Sequence, residues 1–295
     1  MAIQRKKLLK SVLKLLVSAA ALYLVSRKID VKATWQLIKQ LNLWYLTFAV
    51  VLFNASQWLS AKRLQLFLKG DQVVFDYRDH LKLYYIGMFY NLFLPGGIGG
   101  DGYKIYWINR RFSTKVKNLI ATLLLDRISG LVAILGLASL MAIFVFNTLW
   151  VTIAALILII VAVLLYRIVV FKWFSRHRVF WSSTTLSAFG VQFIQLICGV
   201  NILLALGVTN NFLAYLLLFL VSSIAAVIPI TIGGVGAREV VYIYGHQYFG
   251  VDEKVGVAFT LLFFAITAVS SLFGSFLSMS EKGVQPSYKN ENKNL

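Results

Sequence analysis

Pro95-Gly96-Gly97-Ile98-Gly99-Gly100-Asp101-Gly102-Tyr103-Lys104 aligns without a gap to Pro229-Ile230-Thr231-Ile232-Gly233-Gly234-Val235-Gly236-Ala237-Arg238. Both stretches read P-x-x-I-G-G-x-G-x-[KR], so six positions in ten match, with proline, three glycines and the terminal cation in register. Low-complexity glycine alone would fix neither the proline nor the cation. Each copy follows an apolar run and precedes an aromatic-rich, helix-like stretch, which marks an internal duplication.

Working outward, the segment Leu83 to Leu94 before the first copy is too short to cross a bilayer, where a helix needs about 20 apolar residues. It lies between two basic segments, so it reads as a hairpin that enters and leaves on one side. Longer apolar runs read as spans from about Leu8 to Val25, Leu43 to about Leu68, Val116–Phe146, Val151–Tyr166, Leu186–Leu206 and Val255–Met279. The run Phe212–Ile228 leads into the second copy. The two copies are 134 residues apart with three spanning runs between them, and an odd number of crossings reverses the second. The expected fold is all-α and polytopic, with about six full spans plus two oppositely oriented re-entrant hairpins forming inverted repeats. The first repeat covers about residues 43–146 and the second about 183–279, within one membrane domain over residues 1–280. Residues 281–295 read as a polar, disordered cytoplasmic tail.

Composition agrees with this reading. The chain has 295 residues, of which 59% are hydrophobic and 14% charged, where a soluble domain carries about 25% charged residues. The mean hydropathy is +0.78. One cysteine, Cys198, excludes a disulfide framework and a cysteine zinc site. The net charge of +18 comes from 29 basic against 11 acidic side chains, most of the basic ones flanking apolar runs. That is the positive-inside pattern of a plasma-membrane protein rather than a nucleic-acid surface. The basic stretches Lys104–Lys117 and Arg167–Arg178 are placed inside and the uncharged linkers 147–149 and Gly207–Asn211 outside, with both termini cytoplasmic. The segment Ser26 to Leu41 fits this alternation poorly and reads as an amphipathic helix on the membrane surface.

Candidate chemistry gathers at the motifs. A helix starting after each glycine pair, Gly99-Gly100 or Gly233-Gly234, aims free N–H groups and its positive dipole end at the hairpin tip. Lys104 or Arg238 one turn later adds a full charge, and together these make an anion site suited to phosphate. The bland alternative is that the glycines only permit tight helix packing and the cations only reach for the interface. Asp126 and Arg127 lie inside an apolar run, where ionisable groups face a cavity or each other. Adjacent residues point apart on a helix, so Asp126 is expected to meet a basic tip residue and Arg127 to meet Asp101 or lipid phosphate. A structural ion pair is the other reading. Glu239 and Asp101 read either as functional carboxylates or as residues favourably placed at helix starts.

Several patterns mislead. Gly97 to Gly102 matches G-x-G-x-x-G, but no strand or βαβ context accompanies it. His80, His177 and His246 are far apart in sequence and read as ordinary interfacial residues rather than metal ligands. No cofactor is expected, and neither an acyl-hydrolase nor an ATP-binding motif is present.

The blocks Pro95–Asp101, Leu125–Gly130 and Pro229–Glu239 together resemble the lysylphosphatidylglycerol synthase transmembrane-region family of flippase-like proteins, over about Leu8 to Met279. The resemblance implies an integral membrane protein that moves lipids with charged or polar head groups between leaflets. Aminoacylated phosphatidylglycerol is that family's best-known cargo, and other members are associated with isoprenoid-linked sugars, hopanoids or glycolipid assembly. It carries over a membrane site at Asp101, Lys104, Asp126, Arg127, Arg238 and Glu239. It does not carry over lysyl transfer or tRNA binding, because the sequence ends about 16 residues beyond Met279. The expected function is therefore lipid translocation without catalysis. Expected partners are anionic, aminoacylated or isoprenoid-linked lipids, with a separately encoded transferase as a further partner and no nucleic acid. The alternatives are an intramembrane transferase using Asp101, Asp126 and Glu239, or a non-transporting partner of a separate transferase.

Overall fold

The computed structural model describes residues 31–93, 99–227 and 236–277. The expected first span, the tail, residues 95–98 of the first glycine motif and residues 229–235 of the second, Gly233 and Gly234 included, lie outside these residues. Among the described residues every regular element is helical.

Helix α1, Val31–Lys39, lies within the segment expected to be amphipathic. Its Leu37 and Ile38, with Leu41 beyond it, pack on the main core while Trp35 stays exposed. Helix α2, Leu43–Gly70, starts where the Asn42 side chain accepts the Trp44 N–H at 3.1 Å. The first hairpin follows as α3, Tyr77–Phe93, and α4, Gly99–Phe112. Helix α5, Val116–Phe146, ends at Asn147, whose left-handed backbone (φ 46°) turns the chain into α6, Leu149–Trp173. A 3₁₀ turn, Ser175–Phe180, leads to α7, Trp181–Ala205. The second pair is α8, Phe212–Val227, and α9, Ala237–Phe249, which closes on Gly250 at φ 60°. Helix α10, Glu253–Phe276, begins where Asp252 accepts the Lys254 N–H at 2.8 Å.

Four of these elements are long and apolar enough to span: Val116–Phe146, Leu149–Trp173, Ser175–Ala205 and Glu253–Phe276. Helix α6 exposes apolar side chains on most of its surface, with Trp150 and Trp173 near its two ends. They are separated by about 35 Å of helix, the span of a hydrocarbon core with its interfaces. Helix α2 departs from expectation. It is 28 residues long, ample to span, yet its middle carries Asn54, Ser56 and Gln57 and is less apolar. Ser56 and Gln57 are buried, so these groups face protein rather than lipid.

The packing has a regular pattern. Helices α2 and α7 lie against each other over the longest contact in the fold, and Cys198 on α7 donates to the Ala49 carbonyl of α2. The two halves of each hairpin pack together, α3 on α4 and α8 on α9. Helix α3 also packs on α10, which follows the second hairpin, and α8 packs on α5, which follows the first. The core is continuous through α2, α5, α7, α8 and α10, where Phe219, Phe259 and Phe263 stack edge to face.

Candidate functional site

The first hairpin is held by backbone proximity. A Cβ at Gly100 would stand 2.0 Å from the Gly87 carbonyl oxygen, so only glycine lets α4 approach α3 this closely. Asn91 at the end of α3 accepts the Gly100 N–H at 2.7 Å. This corrects part of the expected anion cradle: the Gly100 amide is already satisfied, and its glycine serves packing. Gly99 opens α4, and Gly102 has open space around its Cβ position.

Lys104 is buried and turns back on its own hairpin. Its Nζ sits 3.5 Å from Asp101 and 4.6 Å from the Tyr84 ring centroid. Asp101 also receives Arg127 from α5 at 2.7 Å, the contact anticipated between those two residues. Asp101, in the first turn of α4, therefore carries two cations and ties α4 to α5. Asp126 points elsewhere, as adjacent helical residues must. Its partner is not a tip cation but Arg63 of α2, whose Nε lies 2.8 Å from Oδ1. Gly130, a turn after Asp126, leaves room beside that guanidinium, since its Cβ position is 3.6 Å from Nη1.

Arg63 was missed because it reads as one of the basic residues flanking a span. The rule that singled out Asp126, an ionisable group inside an apolar run, applies equally to Arg63 within the run from Leu43. Of the histidines, His80 and His177 are buried in protein, His177 lying 3.2 Å from the Thr122 hydroxyl that also donates to Asp71 at 2.5 Å.

In the second hairpin the two neighbouring charges separate. Glu239 is buried, accepts the Gly236 N–H at 2.6 Å and receives the Thr260 hydroxyl at 3.0 Å. Gly236 has φ 90°, so the carboxylate closes a turn that a side-chain-bearing residue would strain. The simpler of the two roles considered for Glu239, an anion at a helix start, describes these contacts. Arg238 donates to Ser223 at 3.0 Å and lies over Phe219 and Phe263 at 5.8 and 5.3 Å. Among the described residues no carboxylate stands within ion-pair distance of it.

Arg238 borders a cavity of about 340 Å³ between the two hairpins. The polar part of its wall comes from Gln57 on α2, Asn91 on α3, Gln195 on α7, and Thr267 and Ser271 on α10. Tyr84 lines it too and carries Lys104 on its ring, whereas Lys104, Asp101, Asp126, Arg127 and Glu239 are not among the described lining residues. The structure thus brings Arg238 alone of the expected charged residues to the cavity. It groups Asp101, Lys104 and Arg127 beside it, and pairs Asp126 with Arg63. The amides were not singled out in the sequence. The available signal is that Gln57 and Gln195 interrupt otherwise apolar helices, where an unpaired amide in lipid is costly.

Four elements long and apolar enough to cross a membrane, together with a half-open cavity bordered by the half-buried Arg238, are the pattern of an integral membrane protein. The chain belongs to the family described as lysylphosphatidylglycerol synthase TM region, whose profile matches residues 11–274. That membership links it to lipid modification or transport at the membrane. Among curated proteins none matches the sequence.

Proposed function

We propose that this protein is a lipid translocase of a plasma membrane, moving a phosphate-bearing lipid between leaflets without altering it chemically. The observation that carries this reading is Arg238, a cation bordering a half-open, part-polar cavity with no carboxylate at ion-pair distance among the described residues. A charge in that position is costly unless a counter-ion arrives, and a lipid phosphate is the anion a membrane supplies in abundance. Cation and phosphate each lower the other's cost of leaving water, and hydrocarbon tails remain among the exposed apolar helices.

The repeats are read as inverted, each hairpin dipping in from its own side, with both termini cytoplasmic. Support comes from the packing: exchanging the two halves exchanges the α3–α10 contact with the α8–α5 contact and leaves the α2–α7 contact in place. Rocking one half against the other would open the cavity to alternate leaflets. The two hairpins are not chemically equivalent, because Lys104 is paired with Asp101 while Arg238 borders the cavity. The phosphate is therefore assigned to Arg238, and the Asp101–Lys104–Arg127 group to holding the first hairpin on α5. A separately encoded transferase that makes the cargo is a fitting partner.

The test is transport by the purified full chain in proteoliposomes containing a head-group-labelled anionic lipid. Wild type should move label between leaflets with its mass unchanged, and Arg238→Gln should slow this about tenfold or more. Equal rates for wild type, Arg238→Gln and protein-free vesicles would overturn the reading. A product of altered mass would replace it with intramembrane transfer.

A further inference from the structure

The chemistry of the cavity wall selects among lipid head groups. Among the described lining residues Arg238 is the one with a full charge, and the other polar ones are amides and hydroxyls. Gln57 and Gln195 each give one amide N–H to the same hydroxyl, that of Ser56, at 3.2 and 3.3 Å, and each has a second N–H besides. Each keeps its side-chain carbonyl as an acceptor. Asn91 has the opposite polarity: its carbonyl takes the Gly100 N–H, which leaves its amide donors. Thr267 and Ser271 spend their hydroxyl protons on main-chain carbonyls one turn back, so each presents lone pairs.

An ammonium head group can donate to the same lone pairs as a hydroxyl, but among the described residues near the cavity it finds no uncommitted carboxylate to offset its charge. The nearby carboxylates are committed, Asp101 to Arg127 and Lys104, Asp126 to Arg63, and Glu239 to Gly236 and Thr260. Of the four aromatic lining residues two already carry a cation, Tyr84 with Lys104 and Phe263 with Arg238. Both of those cations repel a third.

We infer that the cavity takes a lipid whose head group is one phosphate ester bearing a neutral, hydroxyl-rich moiety, and that it discriminates against cationic, aminoacylated head groups. This rests on the translocase reading. The phosphate meets Arg238 and the Asn91 amide, and the hydroxyls donate to Gln57, Gln195, Thr267 and Ser271. A glycerol head group and a sugar on a prenyl phosphate share this chemistry.

The test is a binding panel with the purified full chain in nanodiscs, using phosphatidylglycerol, a polyprenyl-phosphate hexose, lysylphosphatidylglycerol and phosphatidylcholine as background. One of the first two should bind about tenfold or more tightly than lysylphosphatidylglycerol, and which of them does so identifies the source. Gln195→Glu, which adds a carboxylate to the wall, should narrow that ratio by raising affinity for the lysyl lipid. Equal or tighter binding of lysylphosphatidylglycerol by wild type overturns the charge preference and leaves translocation standing. If no lipid exceeds the phosphatidylcholine background, the preference and the translocase reading both fall.

Discussion

Arg127 on α5 reaches Asp101 on α4 at 2.7 Å, and the same carboxylate holds Lys104 at 3.5 Å. The first hairpin is thereby fastened to the helix that follows it by one anion between two cations. Lys104 is the more buried cation, with 8% of its side chain exposed against 39% for Arg127. Removing the anion therefore strands Lys104, whereas Arg127 can turn outward.

Asp101→Ala is expected to lower stability by about 1–3 kcal/mol, the cost of leaving a buried charged group without its partner. Asp101→Ala combined with Lys104→Met should recover most of that loss, because the stranded charge goes too. Thermal unfolding in a fixed detergent checks both. A double variant no more stable than Asp101→Ala would place the loss at Arg127 instead.

Asp126 and Arg63 form the second fastening, between α5 and α2, with side chains 14% and 8% exposed. Arg63→Ala is expected to cost about 3–5 kcal/mol, since it leaves a carboxylate inside the bundle unpaired. Replacing both residues with apolar side chains of similar volume should cost far less. The measurement is the yield of monodisperse protein and its unfolding temperature. A double variant as damaged as Arg63→Ala would mean that the pair does more than hold helices together.

How far the sequence foretold this arrangement depends on what sets each feature. Val116–Phe146 is legible to the residue, because a long and predominantly apolar run between Lys115 and Asn147 leaves helix as the way to satisfy its backbone in lipid. That Tyr77–Phe93 and Gly99–Phe112 are separate helices is legible from Pro95 and the glycines. Partner choice is not legible. Nothing local says that Asp126 meets Arg63, which is 63 residues away, rather than a tip cation, because the rotation of α2 against α5 decides it. The cavity wall escapes for the same reason: Gln57 and Gln195 come together only because α2 and α7 cross there. Repeat symmetry also misleads, since Lys104 and Arg238 match in register but only the first copy places a carboxylate three residues earlier, where the second has Val235.

Two glycines of α4 should respond oppositely to alanine. At Gly100 a methyl group would collide with the Gly87 carbonyl, and backbone cannot step aside without parting α3 from α4. Gly100→Ala is expected to cost about 1–3 kcal/mol or to prevent folding. Gly102 has no atom within 4 Å of its Cβ position and lies inside the helix. Gly102→Ala should be neutral or add about 0.5–1 kcal/mol through helix propensity. Parallel unfolding curves for the two variants check this, and equal damage from both would show that α4 needs flexibility rather than close approach.

Arg238 and Glu239 are neighbours with opposite expected sensitivities. Glu239 faces into the protein, where its two oxygens meet the Gly236 N–H and the Thr260 hydroxyl. Glutamine keeps an oxygen for the backbone N–H, and the Thr260 hydroxyl can turn to accept from the new amide. If the carboxylate only closes the turn before α9, Glu239→Gln should leave lipid movement within about twofold and its pH dependence unchanged, while Glu239→Ala should lower stability by about 1–2 kcal/mol as a lost helix cap does. If it instead exchanges a proton to couple transport, Glu239→Gln should abolish the response to an imposed pH gradient, because glutamine cannot titrate. Arg238→Gln has the complementary signature. It removes the charge bordering the cavity but no ion pair within the described protein, so unfolding temperature should change little while affinity for a phosphate-bearing lipid falls about tenfold or more. Measuring transport with and without a pH gradient, beside unfolding, for these two variants separates a turn-closing carboxylate from a coupling one and a lipid-binding arginine from a packing one.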